Sequence, residues 1–405
     1  MIGSSSRAPP LARNQLSPKS ANPHSPPKPS GCSMAPPPPE LNPDAVSEIL
    51  LRLPPEDPAS LVRASAVCKP WLRTLTDPAF LRRYRAFHGT PRVLGFLHSR
   101  SIERFVPTTG FRPHAAAAAI LRTCDAVFDC RHGRALLYDC GSMEFVVCDP
   151  VTGRERRMFD AVPDRYNYAV LCAAGAGCDH CNCRGPFLLA CAGVHFSHCD
   201  VFFARFYSSD TGTWSLETKL YMEDSQYQYY GYRLKNQPAV LVGGALYYVC
   251  NFSILLRYDI LGGQDLSVIK LPKANHFESV IVIPAEDSEL GLASLYRNRN
   301  SLCLWSRETE VGRDASWVQQ RVIDLNKLLP ATNLKRPACF SGFAEGANVI
   351  FVSTYHGDVF CIDLNSMGVR KVCEMGYGYR IFPYVCFYTP AACARGALPS
   401  HVETQ

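Results

Sequence analysis

The sequence LNPDAVSEILLRLPP, residues 41–55, predicts a short amphipathic helix. Apolar side chains recur there at helical spacing and form one stripe, at Val46, Ile49, Leu50 and Leu53. Asp44 stands where an N-cap residue accepts hydrogen bonds from the free N–H groups of the first turn. Pro54 and Pro55 end the helix after about two turns, because proline disfavours helical backbone at the residue before it.

Two further helix starts follow within the next residues. Asp57-Pro58 and Asp77-Pro78 each place Asp at the N-cap and Pro at the first helical position, where its missing N–H has no cost. Three or four helices in so short a segment bury too little area to cover all of their apolar side chains. We therefore expect either a helical cap folded onto the rest of the chain or a module completed by a partner.

The N-terminal pattern resembles the F-box, the helical motif that docks on the Skp adaptor of cullin ubiquitin ligases. The matching residues read Leu-x-Pro-Asp, then Ile-Leu-x-x-Leu-Pro, then Val-Cys-Lys-x-Trp, within residues 41–71. One departure is Asn42, which separates Leu41 from Pro43 where the family has Leu-Pro. The resemblance implies a set of adaptor contacts: Leu41, Pro43, Ile49, Leu50, Leu53, Pro54, Leu61, Val67, Cys68, Lys69 and Trp71.

The rest of the chain carries a repeated hairpin pattern. Three units, residues 135–149, 245–259 and 349–363, each contain two apolar runs and end with an Asp after the same 14-residue offset. An Asp at the end of a strand accepts hydrogen bonds from the backbone of its own turn. Two weaker copies lie at residues 201–214 and 291–309. The pattern predicts antiparallel hairpins.

The spacing of these copies favours a β-propeller. Marker residues recur at roughly 50 to 60 residues, the length of a four-stranded blade. Flanking strands at Val93–Leu97 and Tyr384–Tyr388 supply one more blade, closed between the two ends of the array, for about six in total. A stack of sandwich domains is the alternative. The region resembles the F-box-associated, kelch-like β-propellers of plant F-box proteins, although Gly243-Gly244 is its only clear double glycine.

These patterns predict an α+β multidomain protein. An all-α F-box occupies residues 41–88, and an all-β propeller of about six blades occupies residues 89–390. Residues 1–40 are rich in Pro and Ser and have too little apolar area to offset the entropy of ordering, so we expect a disordered tail. Residues 391–405 are expected to form a second flexible tail. A transit peptide is the alternative for the first tail, but its prolines leave no room for an amphipathic helix.

Charge and composition exclude several classes of partner. The formal net charge is +6, but four basic residues lie in the N-terminal tail before any acid, and without them the charge is +2. A nucleic-acid footprint on the folded part is therefore not predicted. No apolar run approaches the roughly 18 residues of a membrane span. The 19 cysteines come without a recognisable secretory signal, so we expect reduced thiols, many of them in the core.

Three local clusters are candidate sites. Cys178 and Cys181 have the two-residue gap of a zinc site, with Cys183 close by, but a second tight pair is missing, so no metal and no cofactor are predicted. Residues 208–214 are similar to the turn-forming Asp-box of sialidase propellers. A run of tyrosines between blades is either strand packing or a target-recognition surface, represented by Tyr227, Tyr229 and Tyr230.

The sequence as a whole favours a non-enzymatic substrate receptor. The resemblance implies that the F-box binds the Skp adaptor and, through it, cullin, while the propeller binds a target protein that the sequence does not identify. Such an adaptor is found in the cytoplasm or nucleus. A non-ligase scaffold is the alternative from another class, and a propeller hydrolase is a more distant one.

Overall fold

The helices are concentrated at the start of the part of the chain that the structure covers. The computed structural model describes residues 41–388 except for residues 56 and 252 and ten segments, 99–103, 161–165, 174–184, 196–199, 223–230, 273–276, 286–288, 297–299, 309–314 and 331–335. Within these residues the α-helices are α1 (Pro43–Leu51), α2 (Pro58–Ser65), α3 (Lys69–Thr76), α4 (Pro78–His88) and α5 (Ala115–Thr123). None of them is long and apolar enough to cross a bilayer.

Two of the three predicted helix starts are confirmed. Asp57 caps α2 by accepting a hydrogen bond from the backbone N–H of Ala59 at 3.2 Å. Asp77 caps α4 in the same way, with Ala79 N at 2.9 Å. The prediction for Asp44 is wrong, because α1 begins at Pro43 and Asp44 lies inside its first turn. Proline has a backbone φ already suited to the first helical turn, so the helix starts at Pro43, two residues earlier than an N-cap at Asp44 implies.

The strands follow in chain order and are antiparallel throughout the described residues. The first twelve are β1 (Arg92–His98), β2 (Phe105–Pro107), β3 (Ala126–Arg131), β4 (Arg134–Asp139), β5 (Glu144–Cys148), β6 (Glu155–Phe159), β7 (Tyr166–Cys172), β8 (Phe187–Val194), β9 (Val201–Ser208), β10 (Thr213–Trp214), β11 (Thr218–Tyr221) and β12 (Val240–Val242). The others are β13 (Ala245–Val249), β14 (Ile254–Tyr258), β15 (Leu266–Lys270), β16 (Phe277–Pro284), β17 (Leu290–Tyr296), β18 (Ser301–Glu308), β19 (Ser316–Asp324), β20 (Cys339–Ala344), β21 (Val349–Ser353), β22 (Asp358–Asp363), β23 (Val369–Glu374) and β24 (Ile381–Cys386).

These strands form six sheets, which are the blades of a six-bladed β-propeller. Four blades are simple meanders, β3–β6, β12–β15, β16–β19 and β20–β23. In the fifth, β7, β8 and β9 pair in order, and both β10 and β11 pair with β9. The first strand of one blade contacts the first strand of the next, for example β16 with β20. The prediction of a propeller is therefore confirmed over the sandwich alternative.

The sixth blade joins the two ends of the array, as predicted. β1 pairs with β24 along its whole length, from Arg92 opposite Cys386 to His98 opposite Ile381, and β2 pairs with the other side of β1. β24 lies a few residues earlier than expected, at Ile381–Cys386. Because the strands of this blade come from opposite ends of the array, pairing them closes the ring.

The repeated aspartates act in turns, as their spacing predicted. Oδ1 of Asp149 accepts a hydrogen bond from Val151 N at 2.9 Å. Oδ1 of Asp259 accepts one from Gly262 N at 3.0 Å, and Oδ1 of Asp363 accepts one from Ser366 N at 2.9 Å. Each acid thus ends the second strand of a hairpin by bonding its own turn.

Candidate functional site

The helical module, residues 43–88, exposes several of the predicted adaptor contacts. Of the eleven predicted residues, seven are exposed: Leu41, Pro43, Ile49, Pro54, Val67, Cys68 and Lys69. Ile49 keeps 49% of its side chain accessible and Val67 keeps 63%. These exposed aliphatic side chains are accessible to another protein.

Two of the predicted contacts are core residues instead. Leu50 is fully buried and Leu61 is 2% exposed, and both belong to the apolar cluster between the helices. Leu50 shares the inward face of α1 with Val46, four residues earlier, whereas its neighbour Ile49 points outward. The prediction that Leu50 and Leu61 lie on a docking surface is therefore wrong. Leu53 and Trp71 are half-buried against the same cluster.

The connection between α2 and α3 presents Val67 and Cys68 to solvent. α2 is held by Asp57, whose Oδ2 accepts from the Ser60 hydroxyl at 2.5 Å and pairs with Arg63. The hydrogen bond from Ser60 is the main cause that lowers the pKa of Asp57, so this carboxylate stays ionised as a cap. Cys68 is extended and is the N-cap residue of α3, which begins at Lys69.

The core of the helical module includes a residue from the far end of the propeller. Phe387, just after β24, is 3% exposed and packs among the side chains of α1–α4. Its ring meets that of Tyr84 edge-on, with 6.2 Å between centroids. The Tyr84 hydroxyl in turn donates a hydrogen bond to the carbonyl of Leu53 at 2.8 Å. The chain from Pro43 onward therefore forms one unit.

The propeller contains a central cavity of about 890 Å³. Its wall comes from the innermost strands β3, β12, β16, β20 and β24 and from the residues next to them. A cavity of this volume is within the range of small-ligand and peptide side-chain pockets.

A buried ion network crosses one part of this wall. Arg131 donates from Nε and Nη2 to the two carboxylate oxygens of Glu345, each at 2.8 Å. Its Nη1 lies 3.3 Å from Oδ2 of Asp129. Burial opposes the charge on Arg131, but Asp129 and Glu345 outweigh it and raise its pKa further. Burial raises the pKa of Asp129 to about 6, although Arg131 acts in the opposite direction. The network joins the blade that contains β3 to the blade that contains β20, because Glu345 directly follows β20.

Two other cations of the cavity wall lack such partners. Arg380 precedes β24 and Lys235 precedes β12, and both line the cavity. No described carboxylate pairs with either side chain. Burial lowers the pKa of Arg380 to about 10, and burial also lowers the pKa of Lys235. Two different blades thus each contribute one positive charge to the cavity.

The sequence pattern did not single out a second surface, which is formed by the tip of the β21–β22 hairpin and the connection between β23 and β24. Tyr355, Tyr377 and Tyr379 are between 37% and 46% exposed. The guanidinium of Arg336 lies over the Tyr355 ring, 3.9 Å from its centroid. Alternation of Gly and Tyr at residues 376–379 was the available signal, because it places large side chains on a tight turn.

The tyrosines that were predicted to bind a target, Tyr227, Tyr229 and Tyr230, lie outside the described residues. The tyrosines described on either side of residues 223–230 differ in exposure. Tyr221 is 69% exposed, whereas Tyr232 is buried and stacks against Phe202 with centroids 5.2 Å apart. Packing and exposure therefore both occur in this part of the chain.

The cysteine cluster of residues 178–183 also lies outside the described residues. Its neighbours Cys172 and Cys191 are buried, and burial raises the pKa of Cys191 to about 12. His195 pairs with Glu217 at 3.3 Å. Within the described residues no group of three or more potential metal ligands is found. The prediction that the loop binds no metal stays a prediction.

Contacts within its own blade hold the turn at residues 208–214, the segment similar to an Asp-box. The Ser209 hydroxyl accepts a hydrogen bond from Phe187 N at 2.7 Å, and Gly212 N donates to Ser208 O at 2.8 Å. The guanidinium of Arg205 lies over the ring of Trp214, 4.2 Å from its centroid. These contacts fasten the turn to its own blade.

Two protein families match the chain. The F-box domain matches residues 39–83, the segment that contains most of the helical module. The family described as F-box protein AT5G49610-like, beta-propeller, matches residues 126–391, more than half of the chain. No curated protein matches. The chain therefore belongs to the AT5G49610-like family of F-box β-propeller proteins.

Proposed function

We propose that this chain is the substrate-recognition subunit of a Skp–cullin–F-box ubiquitin ligase. The helical module docks on the Skp adaptor, and the propeller holds a target protein. The protein carries out no chemistry itself. It raises the effective concentration of the target's lysines near the ubiquitin-charged enzyme that cullin recruits. Assembly with such an adaptor places the protein in the cytoplasm or nucleus.

One observation carries this proposal: an F-box leaves Ile49 and Val67 exposed while its core is completed by Phe387 of the propeller. The apolar surface for a partner is thus combined with a fixed connection to the binding domain. A fixed connection matters because a target held at a defined distance reaches the transferred ubiquitin more often than one on a loose tether. We also propose residues 41–88 and 89–390 as the two functional parts, with tails at 1–40 and 391–405.

The test is adaptor binding by single variants of the full chain. Ile49→Glu and Val67→Glu each place a charge on the exposed apolar surface, and we expect each to weaken binding to the Skp adaptor at least about tenfold. Neither side chain is buried, so the melting temperature stays unchanged. Leu216→Glu is the matched control, because Leu216 is 91% exposed and lies on the propeller. Undiminished adaptor binding by both helical variants would contradict the docking surface.

A second measurement separates a ligase subunit from a scaffold that binds the adaptor without turnover of a target. Partners captured by the propeller are quantified in cells that contain either the normal protein or Val67→Glu, with the proteasome active. A ligase subunit leaves its target more abundant when adaptor binding is lost. A scaffold leaves partner abundance unchanged.

A further inference from the structure

We propose that the propeller recognises an anionic peptide segment of its target through the cavity mouth formed by Arg380, Lys235 and the exposed tyrosines 355, 377 and 379. This inference rests on the proposed function and names the chemistry of the target that the receptor binds. The anion is a carboxylate or a phosphate on the target. The aromatic side chains contact the residues that flank it.

The aromatic part of the mouth is built from two loops. The tip of the β21–β22 hairpin carries Tyr355, and the β23–β24 connection carries Tyr377 and Tyr379. The rings of Tyr355 and Tyr377 have centroids 6.0 Å apart. Exposed tyrosines offer a large contact area with two rotatable side-chain torsions, which makes them frequent anchors in protein recognition.

Backbone hydrogen bonds fasten these loops to each other. Met375 N and Gly376 N donate to the carbonyl of Gly357, at 2.8 and 3.2 Å. Gly357 has φ +96°, and a Cβ there would lie 2.9 Å from Gly376 N, so only glycine allows this approach. Gly378 N also donates to the Ser353 hydroxyl at 3.3 Å. The surface is therefore organised before a target arrives, which reduces the entropy cost of binding.

The charges of the mouth complement an anion. Arg380 follows Tyr379 directly and lines the cavity together with Lys235, Tyr377 and Gly378. Two acids of the neighbouring strands, Asp358 and Glu374, share the Lys371 ammonium at 2.6 and 2.5 Å, so one of their two negative charges is balanced. Arg380 is half-buried and pairs with no carboxylate of the described residues, so an incoming anion replaces its lost hydration with charge-assisted hydrogen bonds.

The position of the mouth also suits a receptor. Arg380 precedes β24 and Phe387 follows it, so the mouth and the helical module adjoin opposite ends of one strand. Six residues of strand span about 20 Å. A target at the mouth therefore leaves the exposed side chains Ile49 and Val67 available to the adaptor.

The experiment measures binding of three fluorescein-labelled octapeptides to the full chain in complex with the Skp adaptor. One peptide contains Asp and Leu, the second replaces each Asp by Asn, and the third carries a phosphoserine among neutral residues. We expect anisotropy to report salt-sensitive binding of the acidic or phosphorylated peptide and at least about tenfold weaker binding of the Asn peptide. The tighter of the two anionic peptides identifies the anion as carboxylate or phosphate.

Variants of the residues at the mouth test where the peptide binds. Arg380→Gln combined with Lys235→Gln is expected to weaken anionic-peptide binding at least about tenfold, and Tyr355→Ala severalfold. Arg122→Gln is the matched control, since Arg122 is exposed on α5 and does not line the cavity. If the double variant melts early, competition of inorganic phosphate and succinate with the peptide on the unmodified protein replaces it. Equal binding of the acidic and Asn peptides, or no competition, would overturn the proposal.

The same samples separate this inference from the proposed function. Adaptor co-purification is measured for every variant of the mouth. Loss of peptide binding with normal adaptor binding supports the mouth. Normal adaptor binding with no discrimination between peptides overturns the mouth and leaves the receptor function standing, whereas absence of adaptor binding by the unmodified chain overturns the receptor function alone.

Discussion

The helical module packs Phe387 from beyond the last strand into its core, whereas each propeller blade packs against blades on both sides. The helical module still leaves Ile49 and Val67 exposed. The propeller buries most of its strand residues between neighbouring sheets, as in the cluster shared by β16–β18 and β20–β22. A ring of sheets provides two neighbours for every apolar face, while four short helices cannot surround their own.

The comparison shows that the segment with β24 and Phe387 has two structural roles. β24 closes the ring by pairing with β1, and Phe387 then completes the core of the helices. The predicted boundary between residues 88 and 89 thus divides two parts that share one core. The shared core indicates instead that the helical module loses stability when it is cut from the propeller, because a buried aromatic ring is removed.

The largest effect is expected from removing β24. A chain that ends at Glu374 loses four large buried side chains: Ile381, Phe382, Tyr384 and Phe387. Each contributes about 1.5–3 kcal/mol by burial, and the sum is comparable to the whole stability of a typical domain, about 5–15 kcal/mol. The truncation also leaves an unpaired edge on β1. We expect aggregation or a broad, non-cooperative melting curve in calorimetry.

The control for this truncation is a chain that ends at Tyr388 and retains every described strand. It is expected to melt like the full chain. If the shorter chain also melted sharply and at the same temperature, ring closure by β24 would not matter to stability. The stability of the propeller would then not depend on closure of its ring, and the contrast with the helical module would not hold.

A smaller effect is expected from Phe387→Ala, which tests the shared core alone. Truncating a buried Phe costs about 3–5 kcal/mol, since it removes apolar contacts and leaves a cavity. Urea unfolding should show the helical module melting before the propeller. Phe87→Ala is the matched control, because Phe87 is 54% exposed on the same module, and it should change stability by about 0.5 kcal/mol or less. Similar losses of unfolding free energy for the two variants would show that burial of Phe387 in the helical core does not stabilise the protein.

The smallest effect concerns the contact between neighbouring blades. A Cβ at Gly342 on β20 would lie 2.5 Å from the carbonyl oxygen of Ile381 on β24. Gly342→Ala therefore pushes two blades apart, at about 1–3 kcal/mol. Gly110→Ala is the control, because a Cβ at Gly110 meets no atom within 4 Å. Denaturant midpoints of the two variants are compared, and equal midpoints would mean that the blades are loosely packed.

Local sequence patterns predicted the structure correctly where a residue type caps a helix or a turn. The Asp-Pro pairs placed α2 and α4, and the repeated Asp residues placed three hairpin turns. Local signals failed where a helix has to choose its inner face. Ile49 and Leu50 are adjacent and equally apolar, and only packing against α2–α4 places Leu50 inside. The tyrosine surface was missed because exposure of an aromatic residue depends on what covers it.

The sequence by itself determined that this protein is an F-box module followed by a closed array of six blades, since caps, turns and repeat length act over short distances along the chain. It also determined the ends of the array, because the strands predicted at Val93–Leu97 and Tyr384–Tyr388 lie on either side of the repeated hairpins. Only the tertiary structure decided that Phe387 completes the helical core and that Arg380 and Lys235 line the same cavity. Those contacts join residues far apart in sequence, and packing brings them together without any local pattern.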